Sequence, residues 1–252
     1  MDSFARTLKN WRQTRRMSQL DLALTAEVSS RHISFLETGR ARPSRAMIAR
    51  LGDALQMPLA PRNTMLLQAG FAPLYPARPW DDAAMAPVRT AVAHTLQRHA
   101  PFPGIAIDQL WRIVQMNAPA ARLFGGLGLV TGDSLLDAMT GAHLPQAIAN
   151  WPDVAHHAAQ RLRLESLAQG GVPELDRAAA CLGRVQGQSA EVQEPFVPMK
   201  IMLGDLCLSL FATIAQFGTA ADLTLHDLRI ELYFPADDAT RKLLESPPDD
   251  SG

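Results

Sequence analysis

"MSQLDLALTAEVSSRHISFLETGRARPS", Met17 to Ser44, is the stretch that decides how the N-terminal part of this chain folds. Ser18 followed three positions later by Asp21 is a capping box, and Met17 and Leu22 are spaced as its hydrophobic staple. The spacing predicts a helix from Ser18 to about Ala26. Ser29 opens the next helix, with Val28 and Ile33 as staple and Gly39 as the left-handed stop. Ile33 and Leu36 lie three apart and face a core. Ser30, Arg31, Ser34 and Phe35 therefore point elsewhere, and Arg40, Arg42 and Arg45 follow as a basic run.

The helical period continues on both sides of this stretch, and five short helices fit the first seventy residues. One runs from about Ser3 to Arg15 with Phe4, Leu8 and Trp11 on one face. Another starts at Ser44 after Pro43 with Ile48, Leu51 and Leu55 inward, and the last runs from around Pro61 to Gly70. Two helices joined by "AEVS" (Ala26 to Ser29), the second with small polar and basic residues at its start, match the helix-turn-helix reader of the DNA major groove.

With its "SQ.DLA", "VS...IS.LE.G" and "R.RPS" pieces, the stretch resembles the helix-turn-helix of the XRE, lambda-repressor-like regulators. The resemblance implies that Gln19 touches a phosphate or an adjacent base, and that Ser30, Arg31, Ser34 and Phe35 face the groove. Ser29 and His32 complete that DNA-facing set. Arg31 suits guanine bidentately, while Phe35 suits a thymine methyl or sugar better than a hydrogen bond. Arg40, Arg42 and Arg45 fall where phosphates pass, which positions the protein without specifying sequence. Arg12 and Glu37 match a pair that forms an inward salt bridge in relatives. Glu27 departs from the pattern, standing where glycine is usual; a positive φ there carries strain, and we read the residue as an outward-pointing turn variant.

Charge divides the chain in the same way. Residues 1–72 carry eleven Lys/Arg against five Asp/Glu, and the remainder thirteen against twenty, although the net charge is only −1. The first part suits a polyanion and the second does not. No apolar run is long enough for a bilayer and no basic-then-apolar leader opens the chain, so the expectation is a soluble, cytoplasmic protein without a membrane partner. Cys181 and Cys207 have neither disulfide nor zinc spacing and read as small core residues. Proline-rich "APLYPARPWDDAAMAPVR" (Ala72 to Arg89) marks a linker.

Beyond it, Val88, Val92 and Leu96 form the stripe of a connecting helix around Pro87 to Ala100. The period then changes to two, with Ile105 and Ile107 alternating and Trp111, Ile113 and Gln115 opposing Arg112, Val114 and Met116. Asn117 to Gly125 is a capped short helix, and helical spacing returns from about Ser134 to Ala180. Strands resume at "PMKIMLGDLCLSLFATIAQFG" with Gly204-Asp205 as the tight turn. The last strand is "LRIELYF", with Leu228, Ile230, Leu232 and Phe234 expected inward. Five antiparallel strands with helices between the second and third make an α+β, PAS-like order.

This part resembles the MmyB-like ligand-binding domain found behind XRE-type heads in bacterial regulators, through "IDQLWRIVQMNAPAARLFG", "NWPDVA....RLRLE" and "FGTAADLTLHDLRIELYFPADDATRKLL". Relatives imply a pocket between sheet and helices, with a fatty acid or similar acyl ligand in at least some members. Trp111, Met116, Phe124, Met139, Met202, Leu208 and Leu210 could line it, methionine suiting an adaptable chain-shaped site. Asn117 and Arg122 are the nearest groups for a carboxylate head. The same apolar residues equally describe a filled core.

No catalytic constellation is present: G-x-S-x-G, the P-loop, G-x-G-x-x-G and H-E-x-x-H are all missing, and adjacent His156 and His157 diverge too far on a helix to share a metal. Neither an enzyme nor a required cofactor or metal is expected. The expected organisation is a helix-turn-helix domain at 1–72, a linker and connecting helix at 73–100, an MmyB-like domain at 101–245 and a disordered tail at 246–252. It reads as a homodimeric regulator on a pseudo-palindromic double-stranded operator, responding to a small apolar ligand. A constitutive dimeric repressor, a haem or flavin sensor and an enzyme fused to a DNA-binding head are the rivals.

Overall fold

The computed structural model describes residues 2–186, 196–218 and 221–246, so the tail, Ser246 apart, lies outside the described residues. The chain divides into two compact units: residues 1–77 with 166–172 and 221–223, and the rest. In the first unit, α1 (Asp2–Thr14), α2 (Gln19–Thr25), α3 (Ser30–Glu37), α4 (Arg45–Ala54) and α5 (Leu59–Gln68) enclose one apolar cluster. Leu8, Leu22, Ile33, Leu36, Ile48, Leu51, Leu55 and Met65 are fully buried within it.

The helix ends follow the cap chemistry. Ser18, Ser29 and Ser44 each accept a backbone N–H three residues on, and Ser18 and Asp21 close the full capping box. Met17 and Val28 pack against the cluster that holds Leu22 and Ile33, as staples should. Gly39 has φ +72°, a left-handed stop that costs glycine nothing. The fifth helix starts two residues before Pro61, at Leu59. Proline fits in the first turn because the N–H it lacks has no intrahelical partner there.

The second unit opens with a 3-10 turn (Ala83–Met85) and α6 (Ala86–Arg98), followed by β1 (Gly104–Ile107), β2 (Ile113–Met116) and α7 (Ala118–Gly126). Next come α8 (Leu135–Thr140), α9 (His143–Ala147), α10 (Trp151–Ala168) and α11 (Pro173–Leu182). The chain ends with β3 (Met199–Leu203), β4 (Leu206–Gln216), α12 (Leu223–Asp227), β5 (Arg229–Pro235) and α13 (Asp238–Glu245). Among the described residues, the strands make one antiparallel five-stranded sheet in the order β2-β1-β5-β4-β3. This is the α+β, PAS-like arrangement expected, with the helices between β2 and β3. Gly204, at φ +60°, makes the two-residue turn that sets Leu203 opposite Leu206.

Burial corrects three expectations. All four residues of β1 are buried rather than alternate ones, because β1 sits between β2 and β5 with α6 and α7 against it. In β5, Ile230 joins Leu228, Val92 and Leu96 on the α6 side, but Leu232 and Phe234 are only half-buried. The opposite face carries Arg229, Glu231 and Tyr233, and all three are buried. A strand in the middle of a sheet covered on both faces has no outside. The cysteines are free and exposed, Cys207 because it pairs across from Met202 on a face that no helix covers at that point.

Candidate nucleic-acid interface and buried polar core

α2 and α3 are locked together from beneath. Arg12 of α1 donates from Nε to Glu37 Oε1 at 2.6 Å and from Nη2 to Oε2 at 3.0 Å, and its Nη1 reaches the Met17 carbonyl at 2.8 Å. Gln19 Nε2 donates to the same Glu37 Oε2 at 2.8 Å. The Glu37 side chain is only 3% exposed. Burial pushes its carboxyl up, yet the hydrogen bonds from Arg12 and Gln19 and the Arg12 charge outweigh that and hold it below the usual range. Gln19 is thereby fixed at the first turn of α2 by a partner at the far end of α3.

The turn is tied from the other side. Arg50 Nη2 donates to the carbonyls of Ala26 at 2.6 Å and Glu27 at 2.8 Å. Glu27 takes φ +50°, and its side chain is 87% exposed and 3.5 Å from Arg50. Both readings of this residue hold together: the backbone is strained and the carboxylate points out. Glu27→Gly should raise stability by about 0.5–1 kcal/mol, since it relieves a left-handed conformation costing roughly 1–2 kcal/mol and loses only an exposed ion pair. Urea denaturation of the two proteins checks this, and a lower midpoint for the glycine variant would contradict it.

On the outer side of this clasp, Ser29, Ser30 and Arg31 are exposed, and His32, Ser34 and Phe35 are half-buried. The Ser29 hydroxyl accepts from His32 N, so it caps the helix before it could meet anything else. After Gly39, Arg40 N donates to Phe35 O at 2.8 Å, which turns the chain off the helix and leaves Arg40, Arg42 and Arg45 exposed. The Arg45 guanidinium lies over the Phe71 ring at 5.5 Å.

The second unit holds a largely buried charged cluster, with the Glu231 and Arg229 side chains 5% and 7% exposed and those of Glu165 and Arg161 16% and 27%. Arg161 of α10 contacts Glu165 Oε1 through Nε at 2.8 Å and Glu231 Oε1 through Nη2 at 2.7 Å. Arg229 Nη1 stands 3.0 Å from Glu165 Oε2, which also accepts from Trp111 Nε1 at 2.9 Å. Tyr233 Oη donates to Glu231 Oε2 at 2.9 Å. The Arg161 guanidinium lies 4.3 Å over the Trp111 ring, and Phe124 meets Tyr233 edge-on at 5.7 Å. Two arginines and two glutamates balance in charge, which is what makes their burial tolerable. Burial lowers the pKa of Arg161, but Glu231 and Glu165 more than reverse this and raise it. Burial, and then Glu231, drive the Tyr233 phenol well above its ordinary value. Trp111 is itself held at φ +61°, a strained conformation for a buried aromatic.

Residues 88–246 match the family model described as the MmyB-like transcription regulator ligand binding domain, and residues 3–65 match a helix-turn-helix domain. The chain belongs to the MmyB-like transcription regulators. No curated protein matches it. A helix-turn-helix DNA-binding domain ahead of an MmyB-like ligand-binding domain is the make-up of a ligand-responsive transcription regulator. Among the described residues no helix is long and apolar enough to cross a membrane, and no three His, Cys, Asp or Glu side chains cluster as metal ligands.

In this MmyB-like regulator the expected ligand-lining residues separate into groups. Trp111, Phe124, Met139, Leu208 and Leu210 are buried, and Met116 is half-buried. Strand pairing puts Met116, Leu208 and Leu210 on the same sheet face as Glu231, while Trp111 and Phe124 border the charged cluster directly. Met202 lies on the other face, opposite Cys207, and is 37% exposed; Ile201, paired with Leu208, takes its place. One step of register separates the two.

Neither proposed head-group residue keeps that assignment. Asn117 Oδ1 accepts from Gly104 N at 3.0 Å and Ala120 N at 2.9 Å, and its Nδ2 donates to the Leu96 and Phe102 carbonyls, both at 2.9 Å. It is a fully engaged helix cap that pins α6, β1 and α7 together. Arg122 points into solvent. The cations that meet the buried carboxylates are instead Arg161 and Arg229. Two signals could have found them: the R-x-E-x-Y alternation of the last strand, which a PAS-like order places centrally, and the Arg161 to Glu165 spacing in "RLRLE". A groove of about 370 Å3 between Leu110, Arg112, Asp137, Glu174, Arg177 and Cys181 includes none of the nine expected residues.

Proposed function

We propose that this chain is an XRE-type regulator that binds double-stranded DNA through α3 and changes that binding when its MmyB-like domain takes a small acyl ligand. The observation that carries the DNA half is the outer edge of α3. It presents Ser30, Arg31, Ser34 and Phe35 from a helix clamped underneath by Arg12, Glu37 and Gln19, with three exposed arginines beyond its end. Such a basic rim meets phosphates, and the helix edge meets bases. A homodimer on a pseudo-palindromic operator, in the cytoplasm of a bacterium, is the setting this arrangement suits.

Selection of bound duplexes from a random pool tests it. Arg31→Ala should relax discrimination at one base by roughly 1–3 kcal/mol, whereas Arg42→Ala should weaken all duplexes alike and flatten the salt dependence by about one counterion. An unchanged selectivity in Arg31→Ala would remove α3 from the groove.

For the ligand half, the apolar faces of Trp111, Phe124, Met116, Leu208 and Leu210 suit a chain, and Arg161 with Arg229 suits an anionic end. Mass spectrometry of whatever copurifies identifies such a molecule. Dodecanoate should raise the melting temperature of the native protein, and dodecanol should do so less. The response can favour one DNA-binding arrangement only if the ligand binds the two with different affinity. No shift with any acyl compound would favour a purely dimerising domain.

A further inference from the structure

Arg31 and Phe35 stand one turn apart on the outer face of α3, and the Arg31 guanidinium carbon lies 5.2 Å over the centre of the Phe35 ring. The guanidinium is thus held against the face of the ring. Its N–H edge makes no hydrogen bond or ion pair among the described residues. A guanidinium that takes O6 and N7 of guanine bidentately lies near the plane of that base, so its other face rests over the groove edge of the neighbouring pair. When the base on the 5′ side of guanine is thymine, a C5 methyl group occupies that place.

We infer that Arg31 and Phe35 read a thymine–guanine step as one unit. Arg31 bonds the guanine, the thymine methyl packs beneath the guanidinium, and Phe35 supports the guanidinium from above. Phe35 is a positioning residue, acting through Arg31 rather than touching the methyl itself, because its ring face is already occupied. An unsupported arginine on an exposed helix gives up most of its rotamers on binding, and the stack reduces that loss before DNA arrives. The inference rests on α3 entering the major groove. It also specifies chemistry: 5-methylcytosine offers the same methyl as thymine, whereas deoxyuridine and cytosine offer none.

The test uses the full-length protein and the duplex that selection returns. At the step in question, thymine is replaced by deoxyuridine, cytosine or 5-methylcytosine, and binding is titrated by fluorescence anisotropy. Thymine and 5-methylcytosine should bind equally, and deoxyuridine and cytosine about fourfold more weakly, the worth of one methyl-sized apolar contact. Phe35→Leu should lower the preference for guanine about two- to fivefold, while Phe35→Tyr restores it. Loss of all base preference dependence on Arg31 would overturn the placement of α3. A preserved Arg31 effect, with deoxyuridine equal to thymine, would overturn the paired reading alone. Should Phe35→Leu fail to fold, the deoxyuridine comparison on the native chain decides.

Discussion

Glu37→Ala is expected to cost the helix-turn-helix domain about 3–5 kcal/mol, because removing one member of a buried ion pair leaves the other charge without a partner. Arg12, whose side chain is only 12% exposed, would keep its charge and lose two hydrogen bonds at once. Gln19 would lose its anchor as well, so DNA affinity should fall beyond what reduced stability explains. Glu37→Gln keeps an acceptor and should cost clearly less. Urea denaturation of the full chain by circular dichroism measures both, and an alanine variant within about 0.5 kcal/mol of the native protein, a surface substitution's effect, would show that the clasp contributes little. Because the folded carboxyl titrates below its unfolded range, the stability it provides is fully present above that range and is lost as pH falls through the folded value. Glu37→Gln should abolish this part of the acid sensitivity.

In the ligand-binding domain, Glu231→Leu should destabilise by a similar amount, about 3–5 kcal/mol, and for the same reason. Arg161 would lose its nearest carboxylate and the Tyr233 hydroxyl its acceptor, both inside the domain. The informative comparison is the double variant Arg161→Met with Glu231→Leu. It removes the pair while leaving Glu165 with Arg229 and Trp111, so charge stays balanced and the part of the stability lost to the unpaired Arg161 should return, the Tyr233 hydroxyl still lacking its acceptor. If the double variant melts as low as the single one, the unpaired Arg161 charge is not the cause. Tyr233 adds a signature at the other end of the pH scale. A phenol raised above its ordinary value stabilises the fold below the unfolded value, and that contribution disappears as pH climbs through the folded one.

A ligand with an anionic end would act on this cluster by competing with Glu231 or Glu165 for an arginine. The cluster joins α10 to the central strand β5, so such an exchange would loosen or shift a link that spans the sheet and its covering helix. Strain at Trp111 lies at the same point, its φ of +61° held by neighbours that the exchange would disturb.

The first domain was legible from its residues almost throughout. Each serine cap, staple and glycine stop acts within a few positions of itself, and local chemistry of that kind is written in order along the chain. Even the Arg12 to Glu37 clasp followed from a resemblance, and the strain at Glu27 from a missing glycine. The second domain was legible in its strands and in the helical stretch between β2 and β3, but not in how that stretch divides or in α12 and α13. Its interior was not. An alternating strand with Leu228, Ile230, Leu232 and Phe234 inward leaves Arg229, Glu231 and Tyr233 on the other face, and that face is buried too because β5 lies between two neighbours and under cover on both sides.

What the amino-acid order determined by itself is therefore the five helices of the first domain with their caps, the strands of the second, and which edge of α3 is left exposed. Tertiary structure alone decided which charges meet: Arg161 and Glu165 pair with residues more than sixty positions away, through a strand order and register that no local pattern states. The physical reason is that caps and helix faces are set by bonds between near neighbours, whereas inside and outside are set by what packs above a strand once the chain has returned to it.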